Sequence, residues 1–313
     1  MDLYTELKNK NNKALSKTIT LAESTLEKDQ LYIQKLLSKF TENHNTIRIG
    51  VTGIPGVGKS SFIEKFGQTF LNQGKSVAVL AIDPSSEKTS GSILGDKSRM
   101  EKLSLEENAF IRPSSNNGTL GGVSNKTRDC ILLCEAAGYD VIIIETVGVG
   151  QSETTVSKLV DIMLLLTITG AGDQLQAIKR GIIELAHLII ITKDDGDNKI
   201  KAKQTLIEFK NILSINPPVD EIWLPKVVKC SSIKNIGINQ INTIVNQFEN
   251  KAREIDSFVN KRREQKIYWI KKVLKDELGN RKYLMLKKSK ELNKIIKNII
   301  SGKNDLYNVI KEN

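Results

Sequence analysis

Apolar positions in the first forty residues recur at helical spacing: Leu15, Ile19, Leu21, Leu31, Ile33, Leu36, Leu37 and Phe40 stand among charged and amide side chains. That pattern predicts two or three amphipathic helices over residues 3–42, and the layer that follows is the nearest surface for them to pack on. From Ile47 the pattern changes to short continuous apolar runs separated by helical segments. The runs Ile47 to Val51, Val77 to Ile82, Val141 to Ile144, Ile162 to Ile168, Leu188 to Ile191 and Lys226 to Val228 read as strands, with Ala109 to Arg112 a shorter one. Ser61 to Leu71, Asp129 to Ala137 and residues 200–213 read as helices, the last broken by Pro217-Pro218. This alternation predicts an α/β fold, a mostly parallel sheet with helices on both faces. Beyond Glu249 the chain turns basic, with Ile267, Trp269, Ile270, Val273, Leu274, Leu284, Leu286, Leu292, Ile295, Ile296 and Ile299 among lysines. Long amphipathic helices that pack on the chain's own domain or on a second subunit fit this best. The expected divisions are a helical segment over 1–45, an α/β domain over 46–248 and a helical extension over 249–313.

The polar residues that follow apolar runs carry the chemistry. Asp83, Glu145, Thr169 and Lys193 stand at the carboxyl ends of predicted strands, where open parallel sheets bind ligands. Between the first strand and the first sheet helix lies G-I-P-G-V-G-K-S, from Gly53 to Ser60. A strand that delivers a tight glycine turn into a helix N-terminus aims backbone N–H groups at phosphates. Gly53, Pro55, Gly56, Val57, Gly58, Lys59, Ser60 and Ser61 are therefore the expected nucleotide contacts. Lys59 would reach the outer phosphates and the Ser60 hydroxyl would ligate Mg2+. Asp83 and Glu145 end two further strands and can join the metal shell. Gly148, three residues beyond Glu145, suits a loop whose backbone N–H senses the terminal phosphate. The Gly/Ser-rich stretch Thr89 to Arg99 is too polar for a core element, and Asp96, Lys97 and Arg99 are its chemically useful side chains.

Thr192-Lys193-Asp194-Asp195 occupies the strand end where an N-K-x-D element reads guanine. Asp195 can accept from the N1–H and exocyclic amine, a donor pair that adenine lacks. Lys193 would cover the ring with its stem, and Ser231 and Ser232 would close over the base through backbone groups. Thr192 stands where an asparagine is expected, so a hydroxyl replaces an amide. The run D-D-G-D-N lacks the ligand spacing and terminal glutamate of a calcium loop.

Charge and composition change this picture little. The net charge of +11 and pI near 9.3 suit polyanionic partners, yet Lys, Asn and Ile are abundant throughout, so nucleic acid is a secondary reading. Cys130, Cys134 and Cys230 form no metal or disulfide ladder and read as reduced, buried thiols. His44 and His187 read as local structure. The sequence lacks a recognisable export signal or membrane span, and a cytoplasmic location is the expectation.

The chain resembles the cobalamin-enzyme accessory GTPases, the methylmalonyl-CoA mutase chaperones, some of which carry the older label of arginine/ornithine transport-system kinases. The resemblance covers nearly the whole chain. It rests on A-L-S-K-T-I-T-L-A-E-S ending at Ser24, the phosphate loop, A-I-D-P-S-S-E-K-T-S-G-S-I-L-G-D-K-S-R-M ending at Met100, and I-R-P-S-S-N-N-G-T-L-G-G-V ending at Val123. It continues through I-E-T-V-G-V-G-Q-S-E ending at Glu153 and G-A-G-D-Q-L-Q-A-I-K-R-G ending at Gly181. The resemblance implies a P-loop GTPase domain, N-terminal helices and a C-terminal helical dimerisation arm, hence a homodimer. It implies a GTPase cycle that gates adenosylcobalamin loading into, and protection of, methylmalonyl-CoA mutase or a related acyl-CoA mutase. Lys59 and Ser60 match the phosphate and metal residues, while Asp83, Asp96 and Glu145 match acids linked to Mg2+ or hydrolysis. Residues 170–181, with Asp173, Gln174, Lys179 and Arg180, match a segment that couples nucleotide state to the partner. No stable cobalamin site is expected. The competing readings are a P-loop kinase, a metal-insertion GTPase, against which the scattered His and Cys argue, and a nucleic-acid binder using the basic tail.

Overall fold

The computed structural model describes residues 3–40, 45–83, 100–115, 120–146, 151–169, 180–215, 222–304, 306 and 309–310. The chain divides into two compact units, Met1–Ala252 and Arg253–Asn313.

In the first unit, seven described strands form one parallel sheet. They are β1 (Ile47–Gly53), β2 (Val77–Asp83), β3 (Ala109–Ser115), β4 (Val141–Thr146), β5 (Ile162–Thr167), β6 (Leu188–Ile191) and β7 (Lys226–Lys229), ordered β3-β2-β4-β1-β5-β6-β7. β4 opens with Val-Ile-Ile-Ile and β5 with Ile-Met-Leu-Leu-Leu, continuous apolar runs of the kind that strands covered on both faces require. β1 lies between β4 and β5, pairing Val51 with Glu145 and with Leu164, so its end opens at the middle of the sheet.

One face is covered by three N-terminal helices, α1 (Leu3–Lys8), α2 (Asn12–Glu23) and α3 (Glu27–Leu37). Asn11 starts α2 as its cap, its side-chain oxygen accepting from the backbone N–H groups of Lys13 (2.9 Å) and Ala14 (3.2 Å). Leu15, Ile19, Ile33 and Leu36 then pack in one cluster with Ala78, Leu80, Ile142, Ile144 and Met163 of the sheet. The next helices are α4 (Lys59–Leu71), the short α5 (Glu101–Ser104), α6 (Leu120–Ala136) and α7 (Gln151–Ser157). Strand alternation sends Val77, Val79 and Ile143 the other way, toward α4, whose Phe62, Phe66 and Phe70 are fully buried. Helices α8 (Arg180–Leu185), α9 (Asn198–Ile215) and α10 (Ile238–Glu254) complete the layers. Asn242 of α10 donates to Thr69 Oγ1 (2.8 Å) and accepts from Gln73 (2.8 Å), fastening α10 to α4.

Two boundaries differ most from the sequence expectation. β3 runs on to Ser115 through Pro113, which an edge strand tolerates because one of its two sides has no neighbouring strand to bond. α6 begins at Leu120, well before Asp129; its Gly- and Ser-containing first turns carry too little apolar periodicity to mark them as helix in the sequence. The Pro217-Pro218 break lies outside the described residues.

A buried ion pair locks the amino-terminal end of the sheet. Arg48 of β1 meets Glu135 of α6 through two parallel bonds, Nε to Oε1 and a terminal nitrogen to Oε2, each 2.7 Å. The Arg48 backbone N–H donates to Asp161 Oδ2 at 2.7 Å.

The second unit consists of α11 (Ser257–Lys288), turned at Gly279 (φ 76°, ψ 160°), and α12 (Glu291–Ile300). Its cluster joins Ile270, Leu274, Leu286, Leu292, Ile296 and Val309. No helix among the described residues is long and apolar enough to cross a membrane.

Candidate nucleotide site

The end of β1 cannot carry a side chain. A Cβ on Gly53 would lie 2.4 Å from the Leu166 carbonyl oxygen of the neighbouring β5, so glycine alone lets the chain turn there. Gly58 (φ 91°) then enters α4 in the left-handed region, leaving Lys59 and Ser60 in the first helical turn. Pro55 and Gly56 stand exposed on the crest of the loop and Ser61 is exposed on α4, whereas the Val57 side chain is fully buried and anchors the loop from beneath. Only the backbone of Val57 is thus open to a ligand at this loop.

Lys59 Nζ donates to the carbonyl oxygens of Gly53 (2.8 Å) and Ile54 (3.4 Å), folding back over its own loop. Burial lowers the pKa of this ammonium, while the carboxylates of Glu145 and Glu153 act in the opposite direction. Glu153, fully buried on α7, is a charge that sequence reasoning left without a role; nothing in its local pattern separates it from an ordinary first-turn glutamate.

Ser60 Oγ donates to Glu145 Oε1 at 3.4 Å, joining the loop to the end of β4. Next to it Thr146 Oγ1 donates to Thr52 Oγ1 at 2.9 Å, both buried. A hydroxyl and a carboxylate side by side at a phosphate cradle are hard oxygen donors, the set that Mg2+ takes together with phosphate oxygens. The residues present thus fit that ion. Asp83 closes β2 in register with Ser115, which brings its backbone to the same edge as Glu145. The side chain of Asp83, and the residues Asp96 and Gly148, lie outside the described part, as do Asp173, Gln174, Lys179 and the side chain of Arg180.

The other expected cluster gathers beyond β6 and β7. Lys193 adopts a left-handed conformation (φ 59°) and is exposed, turning the chain so that Asp194 and Asp195 follow on a tight bend. Asp194 N–H donates to the Cys230 carbonyl (2.9 Å) and its carboxylate pairs with Lys229 at 3.0 Å. Asp195 accepts from the hydroxyl of Ser231, and Ser231 in turn accepts from the Lys234 N–H at 3.1 Å. Ser232 follows, half-buried, in the turn that Gly237 closes against the Lys229 carbonyl. Thr192, 3% exposed, bridges the two halves of the site: its hydroxyl lies 2.8 Å from the Val57 carbonyl and 3.1 Å from that of Thr167.

The residues read as structural behave so. His187 Nδ1 accepts from the Met163 N–H at 3.2 Å, and its ring meets Phe248 edge-on. His44 lies outside the described residues. All three cysteines are buried, and burial pushes their thiols up, Cys230 to about 12. Among the described residues no group of three or more His, Cys, Asp or Glu side chains is arranged to hold a metal ion.

A family model described as methylmalonyl Co-A mutase-associated GTPase MeaB matches residues 15–286. The chain is 44% identical to the Escherichia coli protein called GTPase ArgK over 267 residues, 85% of this chain and 81% of that one. It is 42% identical over 287 residues to the Mus musculus protein called methylmalonic aciduria type A homolog, mitochondrial, covering 88% of this chain and 69% of that one. The crystal structure of a protein called LAO/AO transport system kinase superposes with a TM-score of 0.75 at 32% identity, covering 99% of this chain and 95% of that one.

Proposed function

The chain belongs to the methylmalonyl-CoA mutase-associated GTPase family, and from that premise we propose that its GTP cycle gates adenosylcobalamin delivery to, and protects, methylmalonyl-CoA mutase or a related acyl-CoA mutase. It is a GTPase. The observation that carries the mechanistic reading is the meeting of Lys59, Ser60 and Glu145 at the end of β1, with Asp195 and Ser231 on the same sheet edge.

In this reading the loop N–H groups cradle the phosphates, and Lys59, held over the loop by the Gly53 carbonyl, neutralises the outer ones with its remaining donors. Ser60, Glu145 and Asp83 would hold Mg2+, with Asp96 joining them or acting on water, and the ion would supply neutralisation of phosphate charge. Either Asp96 or Glu145 orients the water that attacks the γ-phosphate in line, releasing GDP and phosphate without a covalent intermediate. Gly148 senses the γ-phosphate, and residues 170–181 pass its presence to the mutase. Asp195 accepts from guanine N1–H and the exocyclic amine, Lys193 covers the ring, and Ser231 and Ser232 close the pocket. The protein works as a homodimer in the cytoplasm, with its C-terminal helices as the arm.

The test is hydrolysis of GTP and ATP with Mg2+, with and without an adenosylcobalamin-dependent acyl-CoA mutase from the same cell. GTP-selective phosphate release that the mutase stimulates supports the reading. A second reading, phosphoryl transfer to another molecule, is favoured by the likeness to a protein called a transport system kinase. It predicts label from γ-32P-GTP on an added acceptor and no response to the mutase.

A further inference from the structure

We infer that Thr192 is a positioning residue that ties the phosphate-binding loop to the base-reading turn, and that it does not itself read the N7/O6 edge of guanine. The inference rests on the assignment of Asp195 to the base. Thr192 ends β6's extension, where its N–H donates to the Thr167 carbonyl at 2.8 Å and fixes its backbone against β5. Its side chain is buried, and both oxygens facing its hydroxyl, those of Val57 and Thr167, are carbonyls that can only accept. A hydroxyl has one proton, so that proton is committed to the protein. Guanine presents N7 and O6 along that edge, and both are acceptors. Thr192 thus has nothing to donate to them. An asparagine amide, with two protons, could hold the loop carbonyl and still donate to the base.

The hydroxyl's work is instead done on the loop. Val57 is the residue whose buried side chain pins the loop from below, and its carbonyl is the one Thr192 holds from the side. Two residues later comes Lys59. Removal of the Thr192 hydroxyl loosens the cradle that receives phosphates, whatever base is attached.

The experiment compares GDP, GTP, ITP and 7-deaza-GTP binding to the full chain by calorimetry. For the unmodified protein, 7-deaza-GTP, in which N7 is a C–H group, is expected to bind within about threefold of GTP, because a made hydrogen bond there would contribute roughly tenfold. Thr192→Val is expected to weaken all four ligands by one common factor of roughly tenfold, and Thr192→Ser to restore them. A preference for GTP over 7-deaza-GTP of tenfold or more overturns the inference without any variant being made. So does a Thr192→Val protein that binds every nucleotide as tightly as the parent. Failure of the Asp195 assignment registers separately, as ITP, which lacks the exocyclic amine, binding as tightly as GTP.

Discussion

The ammonium of Lys59 rests 2.8 Å from the carbonyl oxygen of Gly53, the residue whose missing side chain makes the loop possible. The ammonium has three donors, so a bound nucleotide can offer phosphate oxygens to it while the backbone contact holds it over the loop. Lys59→Ala is expected to lower GTP turnover by at least about a hundredfold, the usual effect of losing one donor aimed at developing charge. The melting temperature without nucleotide should hold within a few degrees, since the lysine latches only a surface loop. Steady-state phosphate release and a thermal melt check both.

Asp195 sets the base preference if it accepts from guanine. Asp195→Asn exchanges an acceptor-only group for one that also donates, which suits the C2 carbonyl of xanthine. GTP affinity should fall roughly 10- to 100-fold, the value of a charge-assisted bond, while XTP affinity rises. Competition of GTP and XTP for one fluorescent nucleotide measures the exchange.

Arg48 and Glu135 have no part in the nucleotide site, and their replacement should separate stability from function. Glu135→Gln leaves the guanidinium buried without its carboxylate, and about 3–5 kcal/mol of stability should be lost. Urea denaturation reads the loss, and GDP affinity measured well below the transition should stay unchanged.

Asp129 gives the protein a pH-dependent element. Burial raises its pKa to about 6, more than the neighbouring Arg128 guanidinium, 3.5 Å away, lowers it. A carboxyl whose folded pKa lies above its unfolded value of 3.8 favours the native state in its protonated form. Its contribution is full below about pH 4 and disappears as pH rises through about 6. Asp129→Asn should remove this slope, seen as a flatter midpoint of urea denaturation between pH 4 and 7.

The strands of the sheet were legible because burial on both faces leaves a continuous apolar run, and the phosphate loop because its geometry demands glycines and a lysine at fixed intervals. Arg48 was not legible: it sits inside the apolar run of β1, and its carboxylate partner lies on a helix far along the chain. The extension of β3 through Pro113 was hidden because proline argues against a strand until the strand is known to lie at an edge. At the site, Lys59, Ser60 and Glu145 are marked in the sequence by the glycine loop and a strand end, whereas the place of Glu153 and the tie from Thr192 to Val57 depend on how separate elements meet.

The two outermost strands share a property that bears on how this protein survives its own synthesis. β3 contains Pro113, and β7 is only four residues long, follows directly on Pro225 and is bounded by Lys226 and Lys229. Between them lie apolar runs such as Val-Ile-Ile-Ile of β4 and Ile-Met-Leu-Leu-Leu of β5, the kind of segment that stacks into cross-β aggregates when exposed. A missing donor on one side and a short, charged rim on the other deny a second sheet any continuous template. Once the sheet has closed, its most self-adhesive strands are sealed inside flanks that do not propagate.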